Sequence, residues 1–324
     1  MHAMFRMNLF AVSLLIVMTG LLEGATAQVW PAKPIKIIES FPPGIARDHR
    51  TRVIAEKLSA ALGQQVYVEN RPGAAGRLAG QSGAAAAPDG YTFNMMGTTE
   101  ILTKHLFHLS YDIERDLVPV TMIEKVPGAL IGRASLPARN LTDLIHYARE
   151  HPNALTYGST GAGGWLHVNA LLFSNITNTS LQHVPYSQGS LTTDLLGDHL
   201  DLVFDSVPPY LENVKAGRLR ALALTGEHRA GILPDVPTFI ESGVPAYDVY
   251  ALYGLLAPRG LSERIISKMQ ETIWQILQDQ NLRRQWTEEG GNPVGSTPAE
   301  FAAHIRSESE RWRSVIRQNK ITVE

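Results

Sequence analysis

Four short turns concentrate the residue types that can hold an anion: Phe41-Pro42-Pro43-Gly44-Ile45-Ala46-Arg47-Asp48, Gly97-Thr98-Thr99-Glu100, Ser159-Thr160-Gly161-Ala162-Gly163-Gly164 and Asp205-Ser206. Each follows an apolar run, and the first and third lead into apolar-periodic stretches. A strand that turns sharply into a helix leaves the helix's first backbone N–H groups unpaired, with the positive end of the macrodipole behind them. Together the turns offer amides, hydroxyls and carboxylates, which suffice to bind a small carboxylate without a nucleophile or a metal. In the first turn Gly44 lets backbone come close to a ligand, and Asp48 can cap the helix or hydrogen-bond a ligand group. Arg47 is either a positive charge for the cleft or a solvated first-turn residue, and the second is favoured because a cation there opposes the helix dipole.

Other chemistries fail on spacing. Gly161 to Gly164 lacks the third spaced glycine of a dinucleotide fingerprint and the Lys-Ser/Thr of a P-loop. Ser159, His167 and Asp205 can be written as a triad, but Ser159 follows Gly158 directly, so the Gly-x-Ser-x-Gly elbow is absent. The 11 histidines are scattered; His105 and His108 fall on one helix face at i, i+3, which reads as a solvated face rather than a metal site. His167 orders the turn before it or satisfies a core hydrogen bond. No catalytic residue, metal ligand or cofactor site is expected.

The elements that must position these turns alternate. Period and composition predict strands over 35–40, 66–69, 91–96, 129–131, 155–158, 181–184, 202–205, 219–224 and 250–257, with helices over 47–62, 78–87, 141–150, 166–175, 190–196, 210–216 and 262–277. Thr297-Pro298-Ala299-Glu300 is a capping box that opens a final helix, and Asn140 with Asp143 marks a similar start. This is an α/β chain of parallel sheets flanked by helices, in which ligands lie beyond the carboxyl ends of the strands. No repeat and no long linker interrupts it, which suits two lobes across a crevice.

With 324 residues, 44% of them hydrophobic and 19% charged, the chain can bury a sizeable core. The 29 basic and 31 acidic residues give a formal charge of -2, with no electrostatic footprint for nucleic acid. Arg6, the apolar run from Leu9 to Leu22 and Ala25-Thr26-Ala27 have the order of a secretory signal peptide, so residues 1–27 are expected to be removed and the mature chain to begin near Gln28. The absence of cysteine rules out disulfides and an acylated anchor, and an exported chain without disulfides suits a bacterial periplasm.

Read together, Phe41-Pro42-Pro43-Gly44 with Asp48, the stretch from Val68 to Gly76, Pro88-Asp89-Gly90-Tyr91-Thr92, Val184-Pro185-Tyr186, Leu233 to Thr238, Gly254 to Pro258 and Thr297 to Phe301 occur in the order and spacing of one family. The sequence resembles the Bug receptors, the periplasmic substrate-binding proteins of tripartite tricarboxylate transporters, over nearly the whole mature chain. The resemblance implies a two-lobed type II periplasmic-binding-protein fold, with a sheet flanked by helices in each lobe and a ligand cleft between them. Lobe 1 would comprise residues 28–128 and 250–324, and lobe 2 residues 129–249. It further implies a non-enzymatic, monomeric receptor for a small organic anion, such as a di- or tricarboxylate, an acidic amino acid or an aromatic acid, delivered to the membrane components of such a transporter. Gly44, Ile45, Asp48, Thr98, Thr99, Ser159, Thr160, Gly161, Gly163, Gly164, Asp205 and Ser206 would line the pocket. Alternatives are an input to a sensor kinase and a periplasmic hydrolase using Ser159.

Three departures from the family pattern bear on the pocket. Ile45 stands where a second glycine is usual; a β-branched residue resists positive φ and crowds a ligand. Gly164-Trp165 replaces a usual Ser or Thr, and the segment after Tyr186 reads one residue short. Ile45 and Trp165 hint at a more apolar, aromatic acid, although side chains of these sizes could equally pack the lobe.

Overall fold

Apolar runs of four to six residues separated by amphipathic stretches can each cross a sheet once and return as a helix. The computed structural model describes residues 30–186, 190–318 and 320–322. The expected leader and three residues after Tyr186 lie outside them. Residues 33–324 make one unit by themselves.

In its first part β1 (Ile35–Glu39), β2 (Val66–Asn70) and β3 (Thr92–Gly97) run parallel, with β1 in the middle. Further along, β5 (Thr156–Ser159), β6 (Gln182–Pro185) and β7 (Leu202–Ser206) form a second parallel group. Between the groups lie β4 (Leu117–Arg133) and β9 (Tyr250–Pro258), antiparallel to each other; β8 (Leu219–Leu224) and β10 (Asn292–Pro293) also pair with β4. The resulting order is β2-β1-β3-β9-β4-β7-β5-β6. The sheet is therefore mixed where a parallel one was expected, because β4 and β9 each run against their neighbours.

Helices fill the connections: α1 (Ala46–Leu62), α2 (Arg77–Ala84), α3 (Thr98–Leu106), α4 (Leu141–Glu150), α5 (Trp165–Thr177), α6 (Leu191–Leu196), α7 (Leu211–Lys215), α8 (Glu263–Leu277), α9 (Gln280–Glu288) and α10 (Pro298–Gln318). The marked starts form as read. Thr297 accepts from the Glu300 amide (3.2 Å) while Glu300 accepts from the Thr297 amide (2.8 Å), and Asn140 accepts from the Asp143 amide (2.9 Å).

β4 is the largest departure from expectation. It has 17 residues where three were predicted, since Pro119 and Pro127 argue against a central strand. Register shifts between Pro119 and Thr121 and between Met122 and Glu124 let the strand continue past them. Residues 117–127 pair with β9, and residues 128–133 pair with β7 and β8. α3 ends at Leu106, so His108 shares no helix with His105, whose Nε2 instead meets the Ser309 hydroxyl at 2.9 Å.

Packing fixes these elements in place. Phe173 and Phe204 (ring centroids 5.1 Å apart) and Phe239 and Tyr247 (4.3 Å) form an aromatic centre beside β7. α10 buries Phe301, Ile305 and Trp312. A Cβ on Gly97 would lie 2.0 Å from the Leu252 carbonyl oxygen, so this residue is glycine for space: at φ −159° its backbone is ordinary extended chain.

Candidate functional site

Because β1, β2 and β3 are parallel, their carboxyl ends bring the 41–48 turn, Asn70 and Gly97 to one edge. The ends of β5, β6 and β7 likewise bring together the 159–164 turn, Pro185-Tyr186 and Asp205-Ser206.

In the first turn Gly44 adopts φ +90° with open space around it, so conformation alone requires glycine there. Ile45, the residue capping α1, has φ −81° and ψ 164°, extended values that a β-branched residue adopts readily, and its side chain is 38% exposed. Positive φ is thus not demanded of Ile45. Asp48 is buried and engaged: one oxygen accepts from the Gly44 amide (2.9 Å) and Arg52 Nε (2.9 Å), the other from Asn70 Nδ2 (2.7 Å). Burial alone would raise its pKa, but the donors Arg52, Asn70 and Gly44 prevail and lower it. Asp48 is a clasp that fixes the turn against β2.

Arg47 overturns the reading of a solvated residue. Its side chain is buried, donating from Nε to Glu39 (2.8 Å), from Nη2 to Glu100 (3.0 Å) and the Met95 carbonyl (3.1 Å), and to the Ser40 hydroxyl. Thr51 donates to the second oxygen of Glu39 (2.7 Å), and the Phe41 ring covers the guanidinium at 4.4 Å. Two buried carboxylates outweigh the helix dipole in placing this cation. Burial still raises the Glu39 pKa in spite of Arg47.

Glu100 also accepts from the Gly97 amide (2.7 Å), which ties α3 into the same network. The Thr98 hydroxyl is committed to β9, donating to the Tyr250 carbonyl (3.2 Å) and accepting from the Leu252 amide (3.0 Å). Buried Thr99 makes no side-chain hydrogen bond with the described residues.

The third turn is held without charge. Ser159 is fully buried, and its Oγ shares a hydrogen bond with His183 Nε2 (2.7 Å) and accepts from the Gly161 amide (3.2 Å). Gly161 and Gly163 take φ +119° and +78°, and the Gly163 amide donates to His167 Nδ1 (3.0 Å). His167 therefore orders the turn before it, as read from the sequence. The His167 and His183 rings stack at 4.2 Å, with Tyr157 stacked on His183 at 5.0 Å. Burial, and then His183, lowers the His167 pKa to about 4; burial lowers that of His183. Thr160 is exposed, Gly164 precedes α5, and Trp165 is buried edge-on against Trp312 (6.2 Å), so Trp165 packs core where an apolar ligand contact was suggested.

At the fourth turn Asp205 accepts from the Ser206 amide (2.7 Å) and hydroxyl (3.3 Å) through one oxygen and from the Tyr210 hydroxyl (3.1 Å) through the other; burial raises its pKa. Ser159 pairs with His183 rather than His167, and Asp205 meets neither histidine, so the written triad is not assembled.

α4, α6, α8 and α9 are capped by Asn140, Ser190, Ser262 and Asp279, and α10 by its box. α1, α2, α3, α5 and α7 have no hydrogen bond to an N-cap side chain; of these, α1, α3 and α5 begin at the first, second and third turns. The cluster of Arg47, Glu39 and Glu100, and His183, went unread. A carboxylate ending an apolar strand, as Glu39 does in Ile-Lys-Ile-Ile-Glu, is the signal that a cation must lie close.

A family model described as the tripartite tricarboxylate transporter family receptor matches residues 50–321. Protein BugT of Bordetella pertussis is 32% identical over 96% of this chain and 96% of its own length. Among solved structures, R. palustris Rpa4515 with adipate superposes with a TM-score of 0.84 at 32% identity, covering 91% of this chain and all of that one. The periplasmic binding protein BugD, at 24% identity, TM-score 0.82 and the same coverage, shows the fold alone.

Proposed function

The chain belongs to the tripartite tricarboxylate transporter receptor family, whose members are solute-binding receptors with a periplasmic-binding-protein fold, and from that premise we propose that it captures a small organic carboxylate in the periplasm and delivers it to the membrane components of such a transporter. In this reading residues 1–27 direct export, and residues 28–128 with 250–324 form one lobe and residues 129–249 the other. The protein works as a monomer and turns nothing over. Solute contacts made by both lobes favour the closed state that the transporter recognises.

The observation that carries the reading is that α1 and α5, two of the several helices without a side-chain cap, each start after a turn with positive-φ glycine at the end of a parallel strand. Their free amides and dipoles supply anion binding without a guanidinium, and Thr99 and Thr160 add hydroxyls. Asp48, Thr98, Ser159 and His183 shape the turns from behind. Adipate bound to Rpa4515 indicates the class of solute to try first.

A thermal-shift screen of the chain from Gln28 against aliphatic diacids, tricarboxylates, acidic amino acids and aromatic acids tests this. A bound acid at 100 times its Kd stabilises by about 2.7 kcal/mol, a shift of several degrees. A chain from which bound solute has been removed by unfolding and refolding, and which then responds to no acid, would count against the receptor reading.

A further inference from the structure

We infer that Tyr253 is a solute-contacting residue of the proposed site, its phenolic hydroxyl a hydrogen-bond donor to the bound acid; this deepens the receptor reading and rests on it. Tyr253 lies in β9 with its Cα partnered to Gly97 of β3 on one side and to Glu124 of β4 on the other. It therefore stands at the second of the four turns, next to a residue that has no side chain. Its ring lies 5.7 Å from the Arg47 guanidinium, which itself comes within 3.4 Å of where a Gly97 Cβ would be.

The side chain is half-buried, and its hydroxyl makes no hydrogen bond with the described residues, nor is it among the unpartnered atoms sealed from solvent. Tyrosines at the other edge are already used: Tyr186 donates to Asp194 (2.6 Å) and Tyr210 to Asp205 (3.1 Å). Burial, reinforced by Glu124, raises the Tyr253 pKa, with Asp205 and Glu39 adding and Arg47 opposing, so the phenol stays neutral and can donate.

The arginines at the start of α1 have partners of their own. Arg47 is bound by Glu39 and Glu100, Arg50 by Glu124 and Glu289, and Arg52 by Asp48. A carboxylate or hydroxyl of the solute that reaches Tyr253 therefore meets a free phenolic hydroxyl rather than an uncommitted guanidinium.

The test is calorimetric titration of the wild type and Tyr253→Phe with adipate, malate, glutamate and benzoate, alongside melting curves without acid. The expected result is a variant that melts within about 2 °C of wild type, while Kd for the acid bound by wild type rises about tenfold, or roughly 1.4 kcal/mol. Equal Kd values in the two proteins would overturn the role of Tyr253 and leave the receptor reading intact. A refolded wild type silent toward all four acids would overturn that reading and the Tyr253 contact with it. Weaker binding accompanied by a large drop in melting temperature would assign Tyr253 to the fold and reject the contact.

Discussion

The 41–48 and 159–164 turns have the same backbone plan, a parallel strand, a glycine with positive φ and a helix without a side-chain cap, yet they are supported by opposite means. Ions hold the first: Arg47 between Glu39 and Glu100, and Asp48 against Arg52. Neutral imidazoles hold the second, His183 on Ser159 and His167 on the Gly163 amide. A free helix start requires only a rigid support behind it, and charged and uncharged supports both serve. They differ in how they fail.

The largest effect is expected on the charged side. Arg47→Ala would leave two buried carboxylates facing each other without their cation, at a cost of about 3–5 kcal/mol in a urea titration. A loss below about 1 kcal/mol would mean that Glu39 and Glu100 settle their charge by protonation, and that the two turns differ less than their contacts suggest.

Acid separates the turns next. His167 titrates at about 4 in the folded chain, below its ordinary 6.5, so the unfolded chain holds more protons between those values. Its contribution to stability is fully present above about pH 6.5 and falls as pH is lowered toward 4, by up to about 1.4 kcal/mol per unit. Asp48, with its pKa lowered, keeps its contribution above the ordinary carboxylate range and loses it as pH falls through that range toward its own lower pKa. The His167 support should therefore weaken before the Asp48 clasp does. His167→Asn, whose side-chain oxygen can still accept from Gly163, should flatten the stability profile between pH 6.5 and 4 measured by urea titration; an unchanged slope would remove His167 from the account.

The smallest effect sharpens the likeness between the turns. Ile45→Ser adds the cap that α1 lacks and should stabilise the free protein by about 0.5–1 kcal/mol while weakening acid binding, because the new hydroxyl competes for the same amides. Melting and titration of the one variant check both. If binding tightens with stability, the start of α1 is not where the solute binds.

Much of the frame was legible because local signals agreed with the fold: period, glycine turns, the Asn140 cap and the Thr297 box all formed as read. What stayed hidden depends on contacts distant in sequence. Pro119 and Pro127 disguised β4, whose bulges become evident only against β9. Arg47 looked solvated because its partners lie 8 and 53 residues away. For Trp165 the sequence left ligand contact and packing open, and the edge-on Trp312 ring favours packing. The turns themselves were located, but the sequence could not tell which hydroxyls are spent on the backbone, as that of Thr98 is, and which are free, as that of Thr99 is.

β4 carries a mechanical consequence. It bonds to β9 up to Pro127 and to β7 and β8 from Gly128 onward, so the two parallel groups are joined by one continuous bonded ribbon. Any displacement between them bends that ribbon at the step where its partners change.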